Sequence, residues 1–351
     1  MSKINNFVEN GYKLISEFET TDTLVLWPCR KDVWVNPEKI QELHISYIKQ
    51  IANYQHVFLG VPKSELYKFE GVKFDNVDII ELPQNDAWIR DTGPLFVKKE
   101  NSFYAVKNGF NAWGGLYFPF DDDLKIVPTL SEYLNYDYLE NKLIMEGGNI
   151  SSDGNGTAIL VEDCIVNKNR NDYSKVEIEK ELKKVFGLSK IIWISKGFVE
   201  DETGGHVDNI AQFTNKGEII IAWTEDENHP MYERCRKIEN EIKLQVPERV
   251  IHKITLAQPT YRSGDESIKV YKNSKKRLSG DLLTNSYVNF YVAGKAIFVP
   301  QFLCEEDELA ASKFKEIFPD YDIVFIPARD YILGGGCLHC LTLGILVKED
   351  Q

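Results

Sequence analysis

The chain has 351 residues, 43% hydrophobic and 27% charged, an ordinary globular composition with ample apolar material for a large core. Its net charge of −13 argues against nucleic acid, which wants a basic patch, and permits attraction of a small cationic substrate. No apolar run approaches the roughly 20 residues of a membrane span, the N-terminal stretch MSKINNFVENGYKLISEFE lacks the apolar core of an export signal, and the six scattered cysteines form no disulfide framework, so the expected compartment is the reducing cytoplasm.

Residues from 1 to about 20 read as an unstructured or peripheral tail. TLVLWP (23–28) follows as a strand, then a helix over 36–54 with Ile40, Leu43, Tyr47 and Ile51 at helical spacing and Pro37 in its first turn. VFLGVP (57–62) and TAILVED (157–163) read as strands, and 174–187 as a helix. EIIIAWT (218–224) reads as a strand before a helix over 230–246, opened by Pro230. KAIFVPQF (295–302) and DIVFIPARD (322–330) are strands flanking a helix over 305–318. The segment 262–286 is polar and rich in Gly and Ser, and is expected to be a long loop or lid. Strand, turn and helix recur at irregular intervals of roughly 50 to 80 residues. No linker divides the chain, so residues 1–351 are expected to form one α/β domain whose strand ends converge on a central pocket.

Four segments carry unusual polar residues. In Asn85–Pro94 the sequence NDAWIRDTGP crowds Trp88, Arg90 and Asp91 into a turn; either Arg90 and Asp91 pair locally, or Asp91 enters the pocket with Trp88 as its wall. In Met145–Ile150, Glu146 precedes two glycines that allow close backbone approach; a hairpin turn with a surface Glu is the plainer alternative. The DGNG at 153–156 is a simple turn. In Gly204–Asn209, His206 and Asp208 lie two apart, which in an extended stretch puts both on one side, and Glu202 adds an acid nearby.

The fourth segment is Gly334-Gly335-Gly336-Cys337-Leu338-His339-Cys340. Three glycines suit a backbone cradle delivering a thiol, although half a zinc site, a redox CxxC pair or an inert buried Cys would also fit the local pattern. One thiol, one imidazole and at least three carboxyls form a set dominated by acceptors. Such a set suits guanidinium, a planar cation with many N–H donors and an electrophilic carbon that a thiolate can attack.

WIRDTGP (88–94), FNAWGG (110–115), EGGN (146–149), GHVDN (205–209), AWTEDENHP (222–230), SYVNFYV (286–292) and GGGCLHC (334–340) occur in this order, with TLVLWP as a weaker early match. Together they resemble the agmatine deiminases, or agmatine iminohydrolases, of the peptidylarginine-deiminase-like, guanidine-modifying group. The resemblance implies the pentein fold, a five-bladed α/β propeller of ββαβ-type pseudo-repeats around a central site. It implies hydrolysis of agmatine to N-carbamoylputrescine and ammonia, in putrescine (polyamine) biosynthesis or agmatine catabolism, without metal or organic cofactor.

By that resemblance Cys340 is the nucleophile of an amidino (thiouronium) intermediate and His206 the general acid and base. Asp91 and Asp208 grip the guanidinium, and Glu146 orients His206 and helps hold the substrate. Trp88, Trp113, Gly335 and Gly336 line the substrate pocket, and Glu202 is the candidate partner of the distal amine. A homo-oligomer, with a dimer favoured, is expected, and no nucleic-acid or membrane partner. The chain departs from the family pattern where Leu343-Gly344-Ile345-Leu346 replaces a Gln-rich stretch, where Cys337 replaces a more usual Asn, and in RLSGDLLTNS (277–286). Peptidyl-arginine or arginine as substrate, and a catalytically silent guanidine-binding protein, are the alternative readings.

Overall fold

The computed structural model describes residue 7, residues 9–268 and residues 274–348. The rest of the tail (residues 1–6 and 8) and the middle of the expected lid lie outside the described residues. Among the described residues the strands form five small sheets built on one plan. In each, a first strand runs antiparallel to a second, and a helix then carries the chain to a third strand parallel to the second.

The first unit is Leu95–Lys99, Ser102–Gly109, helix Ile126–Tyr133 and Tyr138–Ile144. The second is Ser151–Ser152, Thr157–Val161, helix Lys175–Phe186 and Lys190–Ile194. The third is Ala211–Phe213, Ile219–Trp223, helix Tyr232–Gln245 and Ile251–Thr255. The fourth is Tyr291–Ala293, Ala296–Gln301, helix Glu306–Ile317 and Asp322–Pro327. The fifth joins both ends of the chain: Thr342–Ile345 pairs antiparallel with Asp22–Leu26, and helix Pro37–Ala52 leads to His56–Val61. Val77–Glu81 extends the fifth sheet and Lys13–Leu14 the first.

The composition explains these elements. Thr157–Val161 and Ile219–Trp223 are buried along their whole length, as middle strands covered on both faces should be. Helix Pro37–Ala52 starts at Asn36, whose side chain accepts from the Lys39 N–H, with Pro37 at its first position. It buries Ile40, Tyr47, Ile48 and Ile51 on one face, and Leu43 is half-buried. Helix Lys175–Phe186 has a capping box from Ser174 and Glu177 and ends at Gly187 in the left-handed region. Pro230 lies two residues ahead of its helix rather than in its first turn.

The first strands, or the turns before them, link unit to unit. The Gly148 N–H donates to Asp91, the Phe213 N–H to Ser151 Oγ, and the Gln212 side chain to the Val288 and Phe290 carbonyls. Tyr291 OH meets Thr23 Oγ1 at 2.8 Å, and the Arg90 N–H donates to the Cys340 carbonyl at 3.3 Å. The fifth unit thus returns to the first.

Two expectations change. Residues 9–20 are not peripheral: Tyr12 and Leu14 are buried, Lys13–Leu14 joins a sheet, and Glu17 reaches inward to Arg90. The described parts of 262–286 are irregular but anchored, with Arg262 and Arg277 both buried.

Leu343, 2% exposed in the closing strand, packs with Leu24, Ile89 and Phe96. Leu343→Ala is expected to cost about 2–5 kcal/mol in urea unfolding, against about 0.5 kcal/mol or less for Leu309→Ala at an exposed site.

Candidate active site

Each unit presents polar side chains from the turn just before its first strand. Asp91 lies on the short helix Ile89–Thr92 before Leu95–Lys99, and Glu146 before the turn Gly147–Asn149. His206, Asp208 and Asn209 surround the turn Val207–Asn209, Asn289 comes two residues before Tyr291, and Cys340 two before Thr342. Backbone that no longer pairs in a ladder points these groups at the common centre.

The centre is a small cavity lined by Trp88, Asp91, Trp113, Tyr117, Asp201, Glu202, Thr203, His206, Asn209, Gly335, Gly336 and Cys340. Glu146 and Asp208 stand directly behind this lining: Glu146 Oε2 is 3.7 Å from His206 Nε2, and Asp208 Oδ2 is 3.6 Å from Cys340 Sγ. All ten residues expected at the site therefore gather in one place.

Asp91 accepts from the Gly148 N–H at 2.9 Å and from Trp113 Nε1 at 2.8 Å. It is not paired with Arg90, which forms a two-pronged contact with Glu17. Glu146 is 1% exposed, so it is no surface residue of a hairpin; Arg170 Nε donates to its Oε1 at 2.6 Å. The stretch holding His206 and Asp208 is a single 3-10 turn rather than extended chain, and both side chains still reach the centre.

Glycine is required at Gly148, where a Cβ would meet His206 Nδ1 at 2.6 Å and Asp91 Oδ1 at 2.8 Å. At Gly336 a Cβ would meet the Trp88 ring at 2.6 Å and Cys340 Cβ at 3.1 Å. Ala112 and Trp113 both take left-handed backbone conformations, with φ of 55° and 56°, a local strain that aims the indole N–H at Asp91.

The electrostatics follow from burial and crowding. Burial alone would lower the His206 pKa, but the charges of Asp91, Glu146 and Asp208 outweigh it and push it up to about 10. Burial raises the Asp91 pKa, opposed by His206. Burial would raise that of Glu146 as well, yet His206 and Arg170 hold it below the usual range. Burial, with the charges of Asp208 and Asp91, pushes the Cys340 thiol well up. Cys337, packed in apolar core, is raised to about 12 by burial.

Glu202 reaches the cavity already engaged. It takes Arg277 Nη2 at 2.9 Å and the Tyr117 hydroxyl at 2.9 Å, with Lys275 Nζ at 3.7 Å. Burial would raise its pKa, but Arg277 keeps it low.

Several residues at the centre were not singled out from sequence. Asn289 lies 3.3 Å from Cys340 Sγ and also donates to Asn209. Its signal was its place in SYVNFYV, just ahead of a strand. Arg170, Arg277, Tyr117 and Asp201 were not named: Arg170 and Arg277 sit in polar runs that read as loops, Asp201 adjoins Glu202, and Tyr117 follows FNAWGG without a polar neighbour. Among the described residues no group of three or more His, Cys, Asp or Glu is arranged to hold a metal ion.

The sequence model of the Porphyromonas-type peptidyl-arginine deiminase family matches residues 13–345. A Latilactobacillus sakei protein with the provisional name agmatine deiminase is 37% identical over 349 residues, covering 95% of this chain and 96% of its own. Among solved structures, the agmatine deiminase of Enterococcus faecalis superposes with a TM-score of 0.93 at 29% identity, covering 98% of each chain. A Cys-to-Ser variant of the C. jejuni agmatine deiminase with substrate bound gives 0.83 at 28% identity, covering 95% of this chain and 96% of its own.

In the substrate-free protein, alkylation of Cys340 by iodoacetamide, followed by peptide mass, is expected to keep accelerating beyond pH 9. An ordinary thiol levels off near its pKa of about 8.5. His206 has a folded pKa above its unfolded value of 6.5, so its stabilisation is complete below pH 6.5 and lost as pH rises through about 10. His206→Gln should flatten that part of the stability–pH curve measured by urea unfolding.

Proposed function

The chain belongs to the Porphyromonas-type peptidyl-arginine deiminase family, and we propose that it is an agmatine deiminase, hydrolysing agmatine to N-carbamoylputrescine and ammonia. One observation carries the reading. Glu146 Oε2 and Asp208 Oδ1 are buried acceptors without a hydrogen-bond partner among the described residues, flanking a small cavity beside a thiol. A guanidinium supplies planar N–H donors and positive charge to both, and to Asp91.

Cys340 is the nucleophile. The incoming cation offsets the carboxyl charges that raise its pKa, so substrate binding favours the thiolate and the thiol proton leaves to solvent. Sulfur attacks the central carbon, forming a C–S bond. His206, an imidazolium near neutral pH by its raised pKa, gives a proton to the departing ammonia as the C–N bond breaks. Water then attacks the amidino intermediate with His206 as base, and the C–S bond breaks to return the thiolate. Asp91, Asp208 and Glu146 hold the guanidinium, and Trp88, Trp113, Gly335 and Gly336 shape its slot.

The distal amine of agmatine falls to Glu202, supported by Asp201 beside it in the cavity, and must share that carboxylate with Arg277. Arginine, whose carboxylate wants a cationic partner, is disfavoured because Arg90, Arg262 and Lys276 do not line the cavity. Arg90 is committed to Glu17, Arg262 donates to the Glu266 and Leu333 carbonyls, and Lys276 is exposed. The small cavity disfavours a peptide. A place in putrescine formation or agmatine catabolism, a cytoplasmic location and a homodimer complete the proposal. Among the described residues no helix is long and apolar enough to cross a membrane.

The test is ammonia release from agmatine, arginine and a blocked arginine peptide. Agmatine should be turned over at least tenfold faster than the others, Cys340→Ala should release none, and Cys337→Ser should retain activity. Preference for arginine, or turnover by Cys340→Ala, overturns the reading.

A further inference from the structure

We propose that His339 is a positioning residue that sets the orientation of the Asp208 carboxyl, and that a Glu17–Arg90 pair behind the cavity holds His339 in place. The inference rests on the proposed role of Asp208 in gripping the guanidinium.

His339 is 2% exposed and does not line the cavity. Its Nδ1 lies 2.9 Å from Asp208 Oδ2. A carboxylate only accepts, so Nδ1 carries the proton. With Oδ2 engaged by His339 and 3.6 Å from Cys340 Sγ, the other oxygen, Oδ1, is the one left without a partner. His339 thereby decides which oxygen meets a substrate N–H and which faces the sulfur.

The residue is fixed from three further directions. Its backbone N–H donates to Asn289 Oδ1 at 2.9 Å. Its Nε2 faces Glu17 Oε1 at 3.5 Å, an attractive ion pair when the ring carries a proton on both nitrogens. Arg90 grips both oxygens of Glu17 at 2.7 and 3.0 Å, while its Nε donates to the carbonyls of Thr342 at 3.1 Å and His339 at 3.4 Å. Burial would raise the Glu17 pKa, but Arg90 and His339 outweigh it and keep the carboxyl far below its usual range, so this buttress stays anionic at working pH. Arg90, Glu17, His339 and Asp208 form one line of alternating basic and acidic groups, running from the N-terminal segment to the sulfur.

Without the Nδ1 donor, the Cys340 thiol, which already donates to Asp208 Oδ2 at 3.6 Å, is left as that oxygen's one partner, and the carboxyl is free to rotate. Both changes misplace the guanidinium and hold the sulfur protonated. A misplacement of about 1 Å costs on the order of a hundredfold in rate.

The experiment compares His339→Asn with His339→Phe. The Asn amide can donate from about the position of Nδ1, whereas Phe fills the space without a donor. His339→Phe is expected to lower kcat/KM for agmatine about a hundredfold and to slow Cys340 alkylation by iodoacetamide. His339→Asn should stay within about tenfold of wild type in kcat/KM and label normally. Equal losses in the two variants assign the residue to packing and overturn the proposal, as does no loss in either. Should His339→Phe fail to fold, Glu17→Gln takes its place. It keeps the hydrogen-bonding shape but removes the charge, and must lower kcat/KM at least threefold; unchanged kinetics overturn the buttress. The alkylation arm needs no substrate. A wild-type protein inert toward agmatine therefore defeats the functional reading alone, while a His339→Phe protein that labels like wild type defeats this one.

Discussion

The carboxyl groups of Asp91, Glu146 and Asp208 are buried around one imidazole, and the cost of burying them organises the centre of the molecule. Each has its own compensation. Trp113 and the Gly148 N–H serve Asp91, Arg170 serves Glu146, and His339 serves Asp208. His206 answers all three through its raised pKa. The left-handed backbone at Trp113 and the bare Cα at Gly148 are consequences of the same requirement. The thiol pKa is raised first by burial and further by Asp208 and Asp91, so the sulfur is poorly ionised until a cation arrives, which ties nucleophile activation to binding of the right charge.

The fold meets that requirement by repetition. Five units of the same order each end a turn at the centre, and each turn contributes a different group. The last unit is completed by a strand from the far end of the chain, Thr342–Ile345, docking on Asp22–Leu26. Cys340 lies two residues before that docking strand, and Arg90 spans the same seam to the Cys340 and Thr342 carbonyls. Closing the ring and seating the thiol are therefore one structural event. The glycines at 334–336 lie at that seam because ring walls, Glu202 and Arg277 press on it from both sides.

Long apolar runs were the legible part of the architecture. EIIIAWT and TAILVED could bury both faces only as middle strands, and the helices beside them showed plain amphipathic spacing. Strands such as Ser102–Gly109 and Tyr138–Ile144 went unseen, because one face meets solvent and Lys, Asn and Glu dilute the pattern. The acids and the imidazole at the site stood out because they sit beside glycines in turn-like surroundings. Glu17 did not: its polar N-terminal neighbourhood resembles a tail, and only the ion pair with Arg90, 73 positions away, makes it interior.

By itself the sequence determined the α/β class, the recurrence of the unit, the thiol, imidazole and carboxyl set, and the family to which they belong. Side-chain chemistry and local periodicity are properties of short segments, and short segments can be read in isolation. The tertiary structure alone decided which carboxyl oxygens stay unpartnered, that Glu202 is shared with Arg277, and that Arg170, Asn289, His339 and Glu17 back the reacting groups. Those facts depend on contacts between residues tens to hundreds of positions apart. Such contacts exist only once the ring has closed and burial has made every unpaired charge costly.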